Sequence, residues 1–419
     1  MDAELILKAR EQRRDLISRL ASEGAVVTVK ANIPGKNKNT PAALLSAAYF
    51  ARLQEGLGAH SFVSLSGADG KCFVGRINDA GSFKADAVRL EEEHEIGRLI
   101  DIDVTDAASA YSLTRGGMRR CFLCGEPAFV CSRKGTHTRE ELVNYFDSKV
   151  SNFFRTFIGE LTFAAMMSEL ELEDKFGLVT PTQRGSHRDL DYAIMRSAAL
   201  AICPMLAECF LVGLCAEREE GLLGELRPIG IICEEKMLAA TDGANAYKGF
   251  IFVGGVLLAA AGYSLGHGLR LDGVYDVARS ICLDMHEGMP SDTFGHHAFR
   301  ESGFGGIRKE AAHGFPTVKF AEGRLSDDVS PSSRLRTLAD IVGKTDDSVL
   351  LKRAGSSERY EYYKRLISTL DTENKEALAA VNKLCLDANI SIGGSADILI
   401  AAVLMKKIKN SFMTEEKRL

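Results

Sequence analysis

The segment Arg139–Glu171, REELVNYFDSKVSNFFRTFIGELTFAAMMSELE, decides how this chain is divided. Its apolar residues recur at steps of three and four throughout, which is the period of an amphipathic helix. Before it, short apolar runs such as Ala25–Val29 and Ser61–Leu65 stand between Gly, Asn and Pro, a pattern typical of strands. After it, helical periodicity continues almost to the end of the chain. The sequence therefore predicts two domains, of which only the first contains strands.

The predicted boundary gives an α+β domain at residues 1–148 and a mostly α-helical domain at residues 149–412. A chain of 419 residues is longer than one typical domain, which supports the division. In the first domain, Glu4–Leu20 has the pattern of a surface helix. In the second, helices are predicted at Asp191–Ala216, Lys248–Leu265, Leu271–Met285, Glu358–Ser368, Asn374–Leu386 and from Ala396 onward.

Composition restricts the class of protein. The formal net charge of -5 and the absence of Trp argue against nucleic acid as a main partner. The charged opening, MDAELILKAREQRRDL, is unlike a signal peptide, and ten Cys without such a signal indicate a reducing compartment. We therefore expect a cytoplasmic protein. The apolar run Gly249–Leu265 approaches the length of a membrane span, but it contains four glycines. A buried core helix is the favoured interpretation, and no membrane partner is expected.

Two segments of the first domain suit phosphate and metal chemistry. Asn32–Lys38, NIPGKNK, follows a predicted strand and places Lys36 and Lys38 beside a tight turn, which suits phosphate unless the loop is simply solvated. In GRLIDIDV, a strand would place Asp101 and Asp103 on one face. Such a carboxylate pair can hold Mg²⁺, which bridges to substrate phosphates; the alternative is an edge strand with solvated carboxylates.

A cysteine-rich segment follows, with the spacing C-x2-C-x6-C-x5-H. Its members are Cys121, Cys124, Cys131 and His137. Three thiolates and one imidazole are a ligand set for tetrahedral Zn²⁺, so this is a candidate zinc site. Reduced cysteines packed as small apolar side chains are the alternative. Four arginines surround the segment and can either grip phosphate or cover an exposed face: Arg115, Arg119, Arg120 and Arg133.

The motifs ANIPGKNK, GRLIDIDV, RRCFLC and CSRKGTH, in this order across about residues 4 to 145, resemble the apo-citrate lyase phosphoribosyl-dephospho-CoA transferases. The resemblance implies a nucleotidyltransferase-like domain with Asp101 and Asp103 as its catalytic, Mg²⁺-binding pair. It also implies a reaction in which a serine of the citrate lyase acyl carrier (gamma) subunit attacks an activated precursor and pyrophosphate leaves. The expected phosphate-binding residues are Lys36, Lys38, Arg98, Arg115 and Arg120.

Polar clusters recur in the second domain where predicted helices begin. They are Gly185–Asp191, Glu234–Met237, Asn245–Gly249 and Ser391–Asp397. A Gly-Ser turn or a lysine at a helix N-terminus suits phosphate, although helix caps and turns are the ordinary alternative.

These clusters lie within segments that resemble the triphosphoribosyl-dephospho-CoA synthases across about residues 155 to 405. The segments are KFGLVTPTQRGSHRDLDY, IGIICEEKMLAATDGANAYKGFIF, GIRKEAAHGFPTV, DDSVLLKRAG and NISIGGSADILIA. The resemblance implies an all-α enzyme that transfers the ribose C1 of ATP to the 2′-hydroxyl of dephospho-CoA, with adenine leaving. A cationic sugar and a leaving base call for carboxylates, and the retained triphosphate calls for Mg²⁺ and cationic side chains.

Residues at positions that match the family's motifs are expected to supply the catalytic carboxylates and the substrate-binding side chains. The expected catalytic residues are Asp189, Asp191, Glu235 and Glu310. The expected substrate-binding residues are His187, Asn245, Lys248, Arg308, Arg353, Ser395 and Asp397.

The chain departs from the second family's pattern at several positions. They are Phe176, Thr180, Ala246, Tyr247, Ser348 and Ile392, of which Thr180 and Tyr247 stand where the family has Asp and His. A bifunctional transferase that makes the prosthetic group and attaches it is the favoured interpretation. The alternatives are a chain that retains only one activity, an equivalent serving malonate decarboxylase, and a non-catalytic regulator that binds metal or nucleotide.

Overall fold

The structure, a computed structural model, describes residues 3–107, 111–283, 285, 305–326, 329–412 and 417–418. The chain forms two compact units. Unit 1 comprises Met1–Phe154, Ser264–Leu271 and Lys409–Leu419, and unit 2 comprises Arg155–Tyr263 and Asp272–Ile408. The boundary between Phe154 and Arg155 falls inside the helix Arg139–Leu170. The long amphipathic segment that predicted two domains therefore belongs to both units.

Unit 1 begins with alternating helices and strands, which confirms an α+β unit at the start of the chain. Its elements are α1 (Ala3–Ala21), β1 (Val26–Ala31), α2 (Pro41–Gly56), β2 (His60–Leu65), β3 (Cys72–Arg76), α3 (Ala80–Glu93), β4 (Ile100–Thr105), α4 (Ala128–Lys134) and the first part of α5 (Arg139–Leu170). The predicted surface helix and the two predicted strands correspond to α1, β1 and β2. The strands β4, β1, β3 and β2 form an antiparallel sheet in that order, and a two-residue strand, β5 (Lys417–Arg418), pairs in parallel with β2.

The central strand β1 is buried on both faces of the sheet. Val27 and Val29 are fully buried on one face, and Val26 is fully buried on the other. On the Val26 face, α1 packs through Leu16 against Cys72 of β3. This alternation places the polar residues of β1 and β4 on the same face as α1.

Unit 2 contains only helices in the part that the structure describes. After the end of α5 they are α6 (Tyr192–Cys215), α7 (Leu222–Ala240), α8 (Lys248–Gly266), α9 (Val274–Ile281), α10 (Gly306–Ala312), α11 (Pro316–Arg324), α12 (Pro331–Lys344), α13 (Ser348–Ala354), α14 (Ser357–Ser368), α15 (Lys375–Asp387) and α16 (Gly393–Ser411). The predicted mostly α-helical part is confirmed. The predicted helix Leu271–Met285 is shorter than expected, because a 3-10 turn precedes α9 and α9 ends at Ile281.

The two most apolar helices, α6 and α8, are long and apolar enough to cross a membrane by length and composition alone. However, 83% of the apolar window of α8 and 61% of that of α6 are buried inside the protein. The helices touch at glycines: a β-carbon on Gly213 would stand 2.0 Å from the carbonyl oxygen of Ala259, and one on Gly262 would stand 2.0 Å from that of Phe210. The glycines of α8 therefore serve close helix packing, and the predicted buried core helix is confirmed.

Candidate active sites

The two predicted metal-binding carboxylates of unit 1 lie on one face of β4. Ile100, Ile102 and Val104 are buried, while Asp101 is half-buried and Asp103 is exposed. The strand that the sequence required is therefore present, with the expected alternation. Asp101 lies opposite Lys30 of β1 in the antiparallel register. Directly opposed residues project to the same face, so a lysine accompanies the carboxylates.

A buried carboxylate beside the pair organises two arginines. Glu91 of α3 accepts the backbone N–H of Ile102 at 2.8 Å and forms an ion pair with Arg115. Arg119 donates to Asp101 at 2.6 Å and lies 3.7 Å from Glu91. Burial raises the pKa of Glu91, while Arg119 and Arg115 act in the opposite direction. Glu91 thus holds both guanidiniums next to the carboxylates of β4.

A cavity of about 350 Å³ opens on this arrangement. It is lined by Lys84, Glu91, Ile102, Asp103, Ser112, Leu113, Thr114, Arg115 and Arg119. Desolvation by the walls of the cavity raises the pKa of the Asp103 carboxyl, and the charge of Asp101 raises it further. The carboxylates are Asp101 and Asp103, and the cations of the cavity wall are Lys84, Arg115 and Arg119. Together they form a site suited to a phosphorylated ligand and a divalent cation.

The other predicted phosphate-binding residues of unit 1 do not line this cavity. Arg98 donates to the backbone oxygen of Arg120, and Arg120 donates to the backbone oxygen of Gly125 at 3.3 Å. Both arginines therefore support the cysteine-rich segment. Lys36 is exposed, and Lys38 is half-buried.

The cysteine-rich segment folds into a compact knuckle. The ligand atoms of Cys121, Cys124, Cys131 and His137 all lie within 4.8 Å of one another. Gly125 has a φ of +75° and donates its N–H to the backbone oxygen of Cys121 at 3.0 Å, which closes the turn after the cysteine pair. Nε2 of His137 is buried and has no hydrogen-bond partner among the described residues. A buried, unpartnered ring nitrogen beside three thiols is consistent with the ligand set of Zn²⁺.

In unit 2, a buried carboxylate faces the start of α16. Asp347 accepts the backbone N–H and the hydroxyl of Ser395, both at 2.8 Å, on one oxygen. Its other oxygen accepts the N–H groups of Val349 and Leu350 at the start of α13. A β-carbon on Gly394 would stand 2.9 Å from this carboxylate. The Gly-Gly-Ser sequence therefore allows Asp347 to join the N-termini of two helices.

A second carboxylate faces the start of α8. Asp397 accepts the backbone N–H of Phe250, and a β-carbon on Gly249 would stand 2.1 Å from its Oδ2. Burial raises the pKa of Asp397 well above its ordinary value, and the nearby charges of Asp347 and Glu169 add to this. Asp397 is therefore a carboxyl group that remains protonated at a higher pH than usual.

Tyr247 is a buried tyrosine next to Asp397. Its hydroxyl has no hydrogen-bond partner in the described part of the chain. Burial raises the pKa of Tyr247 well above its ordinary value. The nearby charges of Glu169, Cys203 and Asp397 raise this pKa further. Glu169 forms an ion pair at 2.8 Å with Lys175, whose side chain is completely buried. A buried polar group without a partner is unfavourable, so the Tyr247 hydroxyl marks a position where a ligand atom would be accommodated.

A histidine and an arginine lie beside the loop that precedes α16. His187 Nε2 is 3.2 Å from the hydroxyl of Ser391, and Arg353 donates to the side chain of Asn389 at 3.0 Å. Burial lowers the pKa of His187, and the charge of Arg353 contributes to the lowering. The structure therefore brings His187, Arg353 and Ser395 to the region around the start of α16.

Lys248 lies at the start of α8, next to the Gly249 backbone that Asp397 approaches. Its backbone N–H is capped by Asn245 at 3.1 Å. Its ammonium group lies 2.7 Å from Glu234, whereas Glu235 is exposed. Arg308 is half-buried on α10.

The remaining predicted catalytic residues of unit 2 have structural partners or face solvent. Asp191 caps α6 by accepting the N–H of Ile194 at 3.0 Å, and it pairs with Arg184. Asp189 is exposed. Glu310 is buried and accepts both the N–H and the hydroxyl of Thr317.

Sequence reasoning did not single out the residues that join these groups. Asp347 stands before Ser348 in the ordinary place of a helix cap, which gives no sign that it also contacts the start of α16. Glu169 and Lys175 lie six residues apart across a helix end, and only the fold shows that their pair is buried. In unit 1, Glu91 and Lys84 lie on an ordinary amphipathic helix. A charged residue on such a helix carries no local signal of burial.

Comparison with known families assigns both units. Residues 155–415 match the profile of the ATP:dephospho-CoA triphosphoribosyl transferase family. Residues 1–153 match that of the apo-citrate lyase phosphoribosyl-dephospho-CoA transferase family.

Curated relatives match in the same way. A relative named Protein CitXG from Haemophilus influenzae is 28% identical over 366 residues, covering 80% of this chain and 78% of that protein. Another Protein CitXG, from Leuconostoc mesenteroides, is 27% identical and covers 77% of each chain. A probable 2-(5''-triphosphoribosyl)-3'-dephosphocoenzyme-A synthase from Vibrio cholerae is 31% identical, covering 61% of this chain and 89% of that protein. The chain therefore belongs to the ATP:dephospho-CoA triphosphoribosyl transferase family and carries an apo-citrate lyase phosphoribosyl-dephospho-CoA transferase before it, which makes it a fused, bifunctional transferase of citrate lyase prosthetic-group biosynthesis.

Proposed function

We propose that the synthase reaction takes place in unit 2, where α8 and α16 begin, with Asp397 as its central acid. The observation that carries this proposal is the close approach of Asp397 to Gly249. Gly249 is the residue that follows Lys248 in the chain. A phosphate group suits the start of α8, because the helix N-terminus and the Lys248 ammonium both favour negative charge. ATP and dephospho-CoA are the substrates, as in the synthase family.

The raised pKa of Asp397 gives this residue a chemical role. The 2′-hydroxyl of dephospho-CoA forms a bond to the ribose C1 of ATP and loses its proton to solvent. The bond from C1 to adenine breaks, and adenine keeps the electron pair. Adenine leaves more easily when it receives a proton, and a carboxyl group whose pKa is raised by burial keeps a proton that it can donate. His187, Arg308 and Arg353 are assigned to the triphosphate, which also requires Mg²⁺. Ser395 holds Asp347 in place.

Asp189, Asp191, Glu235 and Glu310 take supporting roles in this proposal. Asp191 and Glu310 already satisfy backbone groups. Asn245 caps α8 and so fixes the backbone of Lys248.

In unit 1, we propose that the nucleotidyltransferase-type step takes place at Asp101 and Asp103, with the domain extending over residues 1–148 and the synthase over residues 149–412. The carboxylates would hold Mg²⁺, which supplies charge neutralisation for the transferred phosphate. Arg115 and Arg119 orient the phosphate from the walls of the cavity. The acceptor is a serine of the citrate lyase acyl carrier subunit.

Zn²⁺ is proposed for the knuckle of Cys121, Cys124, Cys131 and His137, where it would have a structural role. The knuckle supports Arg119, because the backbone oxygen of Arg119 accepts the N–H of Ala128 at 2.8 Å across the loop that carries Cys121 and Cys124. Metal at the knuckle would thus stabilise a residue that contacts Asp101. We also propose a cytoplasmic location, with small nucleotides as ligands. The burial of most of the apolar windows of α6 and α8 favours core helices over membrane spans.

Two substitutions separate the sites. Asp101→Asn should reduce transfer of supplied triphosphoribosyl-dephospho-CoA to the carrier by about 100-fold or more and leave adenine release unchanged. Lys248→Ala should slow adenine release about tenfold and leave that transfer unchanged. Asp15→Asn and Lys236→Ala, whose side chains are exposed on α1 and α7, are the matched controls. Loss of both activities in either variant would contradict the division into two sites.

The metal assignment has a separate test. Elemental analysis of the purified full-length protein should find about one zinc per chain. Cys121→Ser and Cys131→Ser should lose it, while Cys215→Ser, which changes an exposed cysteine elsewhere, should retain it. Equal zinc content in all four proteins would exclude the knuckle as the site.

A further inference from the structure

Three cationic side chains converge on one buried carboxylate in unit 1. Asp69, in the turn between β2 and β3, has a side chain that is only 2% exposed. It accepts hydrogen bonds from Arg10 at 2.9 Å, from Arg13, and from Lys30 at 3.1 Å. Burial alone would raise the pKa of Asp69, but Arg10, Lys30 and Arg13 outweigh burial and hold the pKa at about 2. The ionised carboxylate therefore fixes three cations in one place.

The positive charge of this group exceeds its negative charge. Burial lowers the pKa of Lys38, and the neighbouring charges of Lys30, Arg10 and Arg139 lower it further, against the opposing effect of Asp69. Lys38, which donates to the backbone oxygen of Ile33, and Arg139 therefore add two cations within electrostatic range of the three at Asp69. Such an arrangement is electrostatically unfavourable when empty and becomes favourable when a polyanion binds.

The cluster continues into the face that carries the proposed metal-binding carboxylates. Lys30 lies opposite Asp101, and Thr28 lies opposite Asp103, in the register of β1 and β4. Thr28 is only 3% exposed, and its hydroxyl has no hydrogen-bond partner in the part of the chain that the structure describes. An unpartnered buried hydroxyl opposite Asp103, one step along this face of β1 from Lys30, indicates a position for a further polar group.

We propose that Arg10, Arg13, Lys30 and Lys38 form a polyphosphate cradle that binds the pyrophosphate part of the triphosphoribosyl substrate. The inference rests on the proposed transferase function of unit 1. The serine oxygen forms a bond to the phosphorus nearest the ribose, and the bond from that phosphorus to the pyrophosphate breaks. Pyrophosphate keeps the electron pair, and the serine proton passes to solvent. The cradle binds and orients this leaving group, and Asp69 is a positioning residue for the cations.

The test uses the full-length protein and inorganic pyrophosphate as the probe. Pyrophosphate should inhibit transfer of supplied triphosphoribosyl-dephospho-CoA, and its inhibition constant should rise about 100-fold in Arg10→Gln/Arg13→Gln. Arg14→Gln, whose side chain is 74% exposed and pairs with Glu11, should behave as the parent. Calorimetric titration with magnesium pyrophosphate should show one class of sites lost in the double variant and retained in the control.

Unchanged inhibition and unchanged pyrophosphate binding in the double variant would overturn the cradle. If the parent transfers nothing to the carrier, the proposed transferase function fails, while the calorimetric comparison still decides whether the cradle exists. Adenine release and the thermal unfolding midpoint report whether the double variant folds. If it does not fold, Arg10→Gln alone, at a side chain that is 52% exposed, should raise the inhibition constant about tenfold, and no change would overturn the proposal.

Discussion

The carboxylate of Asp397 lies so close to Gly249 that a β-carbon on the glycine would stand 2.1 Å from Oδ2. Glycine is therefore required where α16 approaches the start of α8. The contact also links two segments that are separated by almost 150 residues in the sequence, ANAYKG and GGSADI. The proposed synthase site depends on this approach.

Gly249→Ala should displace Asp397 from the start of α8 and reduce adenine release about 100-fold, with a loss of stability of about 1–3 kcal/mol from overpacking. Gly230→Ala on α7 is the matched control, because its β-carbon would meet nothing within 4 Å. Transfer of supplied intermediate to the carrier should be unchanged in both variants. Normal adenine release by Gly249→Ala would remove this contact from the mechanism.

Tyr247→Phe tests whether the unpartnered hydroxyl faces the substrate. Removing a buried hydroxyl that lacks a partner should leave stability unchanged or raise it by about 1 kcal/mol. Adenine release should nevertheless fall about tenfold if substrate supplies the missing hydrogen bond. Tyr362→Phe, at a side chain that is 55% exposed, should change neither quantity. A fully active Tyr247→Phe variant would leave the hydroxyl without a role in the reaction.

The buried pair of Lys175 and Glu169 should be the most sensitive ion pair of unit 2. Lys175→Met leaves a buried carboxylate uncompensated and should lower the free energy of unfolding by about 3–5 kcal/mol. The double variant Lys175→Met/Glu169→Gln should recover much of this loss. Lys383→Met, which removes an exposed pair with Asp387, should change stability by less than about 1 kcal/mol. Chemical denaturation measures all three, and similar losses for the two lysine variants would contradict the burial argument.

Asp69 should give unit 1 a defined dependence on pH. The native-state pKa of Asp69 is held at about 2, below its ordinary value of 3.8. A depressed carboxyl pKa stabilises the folded state above the ordinary value, and this stabilisation is lost as pH falls towards the native-state value. The difference in unfolding free energy between the parent and Asp69→Asn should therefore shrink between about pH 4 and pH 2. A constant difference over this range would show that Asp69 is not ionised in the cluster.

Local sequence patterns predicted the elements of this protein well but not the contacts between them. The alternation of apolar and acidic residues in β4 placed Asp101 and Asp103 on one face, and the structure has them there. The spacing of Cys121 to His137 predicted a cluster that the structure also contains. Both signals are local, because each lies within one strand or one short loop.

The groups that the sequence could not identify depend on contacts between distant segments. Asp347 and Ser395 lie 48 residues apart, and Arg10 and Asp69 lie 59 residues apart. No periodicity or spacing records such pairs, because they form only when the helices and strands pack. For the same reason, the sequence predicted a catalytic role for both Asp189 and Asp191, whereas in the fold Asp191 caps α6 and Asp189 is exposed.

The most direct test of the account is adenine release from ATP by the purified protein with Mg²⁺, with and without dephospho-CoA. We predict that adenine forms only when dephospho-CoA is present. Adding apo-citrate lyase acyl carrier subunit should then yield pyrophosphate and the modified carrier. Absence of adenine under these conditions, with folded protein, would contradict synthase activity in unit 2.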